Sequence, residues 1–204
     1  GLISEALRRP ADATAAHRAA GRLAMRRESL RASGCRALLI SDAGVPGGRI
    51  ACLRAGQPYP DAGARLARLH AGLGGLDRVV LVIRSLPDWW RQMLAHAVAR
   101  GAIPAQPGLP AAIAARPRGW REVITDIACA CPDADLTVLT HERLAGRSDI
   151  LAKACLQSAA PQGLPDLPVT AELGGWQPFD DPARDRLAAA YAADLAWLRA
   201  GADG

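Results

Sequence analysis

Arg78-Val79-Val80-Leu81-Val82-Ile83-Arg84-Ser85-Leu86-Pro87-Asp88-Trp89-Trp90 is the stretch on which the reading of the fold turns. Its first half holds an unbroken, largely β-branched apolar run, Val79–Ile83, between Arg78 and Arg84. Such a run reads as a strand covered on both faces, the habit of parallel sheets packed between helices. Its second half changes character. Ser85 suits an N-cap and Pro87 suits a first helical turn. The spacing predicts a helix over residues 88–100, stopped by Gly101. A strand that feeds at once into a helix is the repeating unit of an α/β fold.

Working outward, two shorter apolar runs read as further strands: Ala37-Leu38-Leu39-Ile40-Ser41 and Leu136-Thr137-Val138-Leu139-Thr140. Helices are expected over residues 5–31, as one or two pieces interrupted near Pro10 and Gly21, and over 62–73, where Leu66, Leu69 and Leu73 recur at helical spacing. More are expected at 111–115, 118–131, 148–158 and 181–200, the last with Leu187, Tyr191, Leu195 and Leu198 on one face. Residues 42–60, 103–117 and 159–178 hold much of the Gly and Pro and read as loops. Strands alternating with helices imply right-handed crossovers and a parallel sheet. The expected fold is a three-layer α/β domain occupying residues 1–204, with strands 37–41, 79–83 and 136–140 parallel. Three strands fall short of the five or six usual in a sheet. An amino-terminal strand is therefore expected to be missing.

Half of the 204 residues are hydrophobic and 22% are charged, a globular composition that excludes disordered and fibrous classes. No apolar run approaches the roughly 18–20 residues that span a bilayer. Residues 1–10 mix Glu and Arg where a signal peptide needs an apolar segment, so a cytoplasmic location is expected. The net charge of +5 comes from 25 basic and 20 acidic side chains, and Lys153 is the single lysine. Arginine suits bidentate recognition of phosphate or sulfate. The basic residues are scattered, which argues against nucleic acid as a partner. Five cysteines (Cys35, Cys52, Cys129, Cys131, Cys155) form no paired framework. Cys129-Ala-Cys131 lacks the second ligand pair of a zinc site, so these read as structural thiols and no metal is expected. No Gly-Lys-Ser/Thr loop and no Gly-x-Ser-x-Gly elbow is present, which excludes Walker-type kinases and elbow hydrolases.

Arg84 ends a predicted parallel strand and precedes a helix, the place where open α/β sheets bind ligands. The helix start offers N–H groups and a positive dipole end to a phosphate. The plainer alternative is that Arg84 pairs with a carboxylate while Trp89 and Trp90 simply pack. Arg26, Arg27 and Glu28 read first as a solvated face, and His17 and His70 carry no signal.

At this point the sequence resembles a family. The segment from Val80 through Ile83-Arg84, Pro87 and Trp89-Trp90 to Gly101 is similar to the 3′-phosphate-binding segment of sulfotransferases, and more closely to bacterial sulfotransferase-like proteins. Three further segments follow the same order. Leu38-Leu39-Ile40-Ser41-Asp42 resembles the family's second strand, and Leu139-Thr140-His141-Glu142-Arg143-Leu144 its strand-end motif. Tyr191, Asp194, Trp197 and Leu198 resemble its closing helix, and Arg118-Gly119-Trp120 fits the bacterial branch. The resemblance implies a P-loop-like fold and transfer of a sulfuryl group from 3′-phosphoadenosine 5′-phosphosulfate to a hydroxyl or amine. It implies that Arg84 contacts the donor's 3′-phosphate, with Gln92 where the family has a serine.

The chain departs from the family in four places. It has no lysine-bearing phosphate loop, so that loop is expected upstream of Gly1 or else the protein is a non-catalytic relative that binds a nucleotide or a protein partner. Ala43 follows Asp42 where bacterial relatives often carry Glu, Gln92 replaces the serine, and the late glycines lack an accompanying lysine. Sulfuryl transfer needs a group to take the acceptor's proton. Asp42, at the end of a predicted strand, and His96, near the face of Trp89 and Gln92, are the candidates. For Asp42 the competing role is to shape its own turn, and for His96 to pack. Glu142 is read as an anchor for a helix or an arginine. The acceptor is a small molecule or carbohydrate of unknown identity, and Trp89, Trp90 and Trp176 are candidates for an apolar acceptor pocket or a dimer surface.

Overall fold

In the computed structural model, which describes residues 2–8, 13–101, 108–115, 118–144, 146–156, 163–165 and 176–202, the apolar run forms strand β1 (Arg78–Ile83). Strand β2 (Asp135–Thr140) lies parallel beside it, with Leu81 opposite Val138 and Ile83 opposite Thr140. The crossover between them runs through α5 (Leu86–Ala99), α6 (Leu109–Ala114) and α7 (Trp120–Ala130). Upstream lie α1 (Leu2–Leu7), α2 (Ala13–Ala32), α3 (Arg49–Ala55) and α4 (Ala62–Leu73). Downstream lie α8 (His141–Leu144), α9 (Ser148–Leu156) and α10 (Asp181–Arg199). The fold is mixed α/β and mostly helical, with a small two-stranded parallel sheet flanked by helices.

The strand expected at residues 37–41 is not formed. The segment is coil, with Leu38 and Leu39 exposed at 49% and 58%. An apolar run becomes a strand only where a neighbour offers a ladder. Here the adjacent backbone bonds are local: Cys35 N–H closes α2 onto Leu30 O, and Val45 N–H turns back onto Asp42 O. Ile40 still finds apolar company, against the cluster shared by α1, α2 and α4. Two other differences have local causes. Helix α3 forms inside the expected loop because Cys52 and Leu53 bury one face and Gly56 closes it in the left-handed region at φ 61°. Gly21 does not interrupt α2, which runs unbroken from Ala13 to Ala32, so the entropic cost of one glycine is outweighed there.

Two clusters hold the molecule together. The larger gathers Leu81 and Ile83 of β1 with Trp89, Trp90 and Leu94 of α5. Trp120, Val123 and Ile127 of α7 and Leu187 of α10 complete it. Residues 79, 81 and 83 of β1 and 136 and 138 of β2 all face this core. The opposite face is thinly covered, and Val82 is 38% exposed. The smaller cluster joins Ala6 and Leu7 of α1, Leu23 of α2 and Leu69 and Leu73 of α4. Helix α4 serves both clusters, because Leu66 belongs to the larger one. Close approach makes this possible: a Cβ at Gly72 would stand 2.8 Å from Leu23 Cδ1, and one at Gly63 would stand 3.0 Å from Asp126 O on α7. No described helix is long and apolar enough to cross a membrane.

Candidate functional site

The carboxyl ends of β1 and β2 are built from four segments that the sequence singled out. Ser85 caps α5, its Oγ accepting from Asp88 N–H and donating to Asp88 Oδ2 at 2.8 Å. Pro87 in the first turn needs no hydrogen bond there. The Ser85 N–H donates to Glu142 Oε1 at 3.0 Å, which ties the start of α5 to α8 directly after β2. Tyr191 on α10 donates its hydroxyl to the other oxygen of the same carboxylate at 3.3 Å. Partial burial, and next the negative Glu142, push the Tyr191 phenol well above its ordinary range.

A second set of bonds fixes the strand end itself. Trp120, first in α7, donates its indole Nε1–H to the carbonyl oxygen of Arg84 at 2.7 Å. Its backbone N–H donates to Asp194 Oδ2 at 2.7 Å, so a buried carboxylate of α10 holds the amino terminus of α7. Asp194 is 6% exposed. Desolvation raises its pKa above the ordinary aspartate value, and the Trp120 N–H offsets part of that rise. Gly119 makes the approach possible, since a Cβ there would lie 2.5 Å from Asp194 Oδ2. The ring of Trp120 also joins Trp89 and Tyr59 in an aromatic cluster, with centroids 5.5 and 6.2 Å away. Tyr59 sits at φ 40°, a strained conformation for a non-glycine residue. Arg118 holds it there, donating to the carbonyl oxygens of Pro58 and Tyr59 and pairing with Asp126.

The expected site residues are placed as follows. Arg84 stands half-buried at the end of β1, and its guanidinium makes no hydrogen bond or ion pair among the described residues. Gln92 lies on α5, about 9 Å along the axis from its first turn. No described contact joins it to Arg84. Asp42 is exposed, and its Oδ1 accepts from Gly44 N–H at 2.6 Å, the turn-shaping role weighed for it above. His96 is half-buried on the last turns of α5, and its pKa is lowered by lost solvation and then by Arg49 and Arg100. No described contact brings Asp42 or His96 to Arg84. Trp89 and Trp90 are core residues and Trp176 is exposed, so the three do not share one pocket wall.

Sequence reasoning anticipated Glu142 as an anchor but not its two partners, and it missed the Trp120 indole and the buried Asp194. No local signal pointed to these bonds, because they join segments 36 and 74 residues apart. All five cysteines are unpaired with one another, and no described group of His, Cys, Asp or Glu could hold a metal ion. Comparison of the chain with protein-family models, with curated proteins and with solved structures returned no match.

Proposed function

We propose that this chain is a sulfotransferase-like protein of P-loop-like topology that takes 3′-phosphoadenosine 5′-phosphosulfate as co-substrate. One observation carries the reading. The segments containing Arg84-Ser85, Gly119-Trp120, Glu142 and Tyr191 with Asp194 meet through hydrogen bonds at the carboxyl ends of two parallel strands. That is where open α/β sheets take their ligands. Arg84, unpaired among the described residues, is the group for the donor's 3′-phosphate, and the Gln92 amide, on the α5 helix that follows, is a further donor. In the reaction the acceptor oxygen or nitrogen bonds to sulfur while the bond from sulfur to the bridging phosphate oxygen breaks. The acceptor's proton passes to a base, and adenosine 3′,5′-bisphosphate leaves. His96 is one base candidate, ten residues and about 15 Å along α5 from Leu86, with its pKa lowered by lost solvation and by Arg49 and Arg100. Asp42 is the other, its carboxylate engaged with Gly44.

A second reading, a relative that binds the nucleotide without transferring a sulfuryl group, is favoured by one observation. Lys153, the single lysine of the sequence, is exposed on α9 and lies in no Gly-rich phosphate loop. Calorimetric titration with adenosine 3′,5′-bisphosphate tests both. Saturable binding, weakened roughly 10- to 100-fold in Arg84→Ala as expected for a lost charge-assisted bond, supports the site. Absent binding, or equal binding by Arg84→Ala, overturns it. Release of the bisphosphate from the donor in the presence of an acceptor panel then separates transfer from binding.

A further inference from the structure

A cleft of about 690 Å³ opens at the other end of the sheet, beside the amino termini of both strands. A six-residue strand places it on the order of 17–20 Å from Arg84. Its walls carry opposite charges. Arg27 and Arg31 line it from one face of α2, one helical turn apart, with His70 of α4 next to them. Asp77 and Asp133, just ahead of β1 and β2, line it as well. Two arginines and two aspartates thus line one cavity, yet no ion pair joins them among the described residues. Arg27 is held in place by a hydrogen bond to Leu73 O at the end of α4. Gly74 makes room for it: the position has φ 67°, and a Cβ there would lie 2.5 Å from Arg27 Nη1. Arg27 Nε and His70 Nδ1 are buried with no hydrogen-bond partner among the described residues. Such buried orphans are uncommon and call for an explanation.

We propose that this cleft binds a small zwitterionic ligand. Its phosphate or carboxylate faces Arg27 and Arg31, and its ammonium faces Asp77 and Asp133. The volume lies within the range of small-molecule sites. The balanced lining favours a ligand that carries both charges over a polyanion, because a polyanion would meet the two carboxylates without compensation. Charge-assisted hydrogen bonds at both ends would fix its orientation. The inference does not depend on the sulfuryl-transfer reading, since it shares no residue with it.

The test is titration with O-phosphoethanolamine beside its two halves, inorganic phosphate and ethanolamine, followed by chemical-shift changes in the labelled chain. The expected result is saturable binding of phosphoethanolamine at least fivefold tighter than either half. Arg31→Gln and Asp133→Asn should each weaken it at least fivefold, while Arg84→Ala leaves it unchanged. Arg31 and Asp133 are exposed, so these variants should keep the parent's melting temperature. Absent binding overturns the proposal. So does binding no tighter than phosphate and indifferent to Asp133→Asn, which would mark a cationic patch. Loss of binding in Arg84→Ala instead would assign the ligand to the other end of the sheet and overturn the cleft.

Discussion

The indole Nε1 of Trp120 donates to the carbonyl oxygen of Arg84 at 2.7 Å, so a helix that begins 36 residues later fixes the last peptide of β1. The bond also orients the backbone from which the Arg84 side chain departs.

Trp120→Phe keeps most of the ring packing and removes the donor. The strand-end carbonyl then loses its partner, at about 1–2 kcal/mol. The expected outcome is a lower urea midpoint together with weaker adenosine 3′,5′-bisphosphate binding. An unchanged midpoint would show that solvent replaces the indole without loss.

Gly119→Ala brings a methyl group to within 2.5 Å of Asp194 Oδ2. The φ of −121° suits alanine, so the cost is steric and not backbone strain. Moving a buried carboxylate off the Trp120 N–H should destabilise by about 1–3 kcal/mol. Thermal unfolding reads this directly, and a melting temperature equal to the parent's would contradict the contact.

Asp194 also sets a pH dependence. Its pKa in the folded protein is raised above 3.8, so the folded state holds this proton more tightly than the unfolded chain. Its contribution to stability is fully present below that value and is lost as pH rises through the raised pKa. Compared with Asp194→Asn, the parent should therefore lose stability from about pH 4 upward. Urea unfolding across a pH series measures the difference, and a gain over that window would reverse the sign argued here.

Glu142 couples α5 to α10 through one carboxylate. Glu142→Gln keeps an acceptor for Ser85 N–H and removes a negative charge from a helix start, where a phosphate would otherwise compete with it. Bisphosphate binding should tighten a few-fold in Glu142→Gln and weaken in Glu142→Ala, which loses the tie altogether. Equal affinities in all three proteins would exclude Glu142 from any part in positioning.

Four of the five thiols should react in two groups. Cys35 and Cys129 are exposed, whereas burial raises the pKa of Cys52 and Cys131. A thiolate is the reactive form, so an aromatic disulfide reagent should label the exposed pair fast and the buried pair only on unfolding. Rapid labelling of all five would show that the core opens easily.

Much of this arrangement was legible in the sequence. The run from Val79 to Ile83 and the Ser85-Pro87 helix start are local signals, and they were read as they are found. Leu38-Leu39-Ile40 carries the same local signal and misled, because strand formation depends on a partner that no stretch of sequence contains. The site shows the same division. Arg84 and Glu142 could be located by position along the chain. The bonds of Trp120 to Arg84 and Asp194 span 36 and 74 residues, and only the packed helices reveal them. His70 carried no signal by itself and gains meaning from Arg27 and Arg31, which the fold sets beside it.

The two-stranded sheet has a consequence for handling the protein. Among the described residues, no backbone bond other than the β1–β2 ladder engages Val79 to Ile83 or Leu136 to Thr140. The outward amides and carbonyls of each strand thus have no backbone partner among the described residues, and Val82 is an exposed apolar side chain beside one row. Natural sheets guard such borders with charge or proline, and neither occurs between Val79 and Ile83. Self-assembly of the concentrated chain is expected to start from this sheet rather than from its Arg- and Ala-rich helices. A charged side chain at position 82 is the simplest protection.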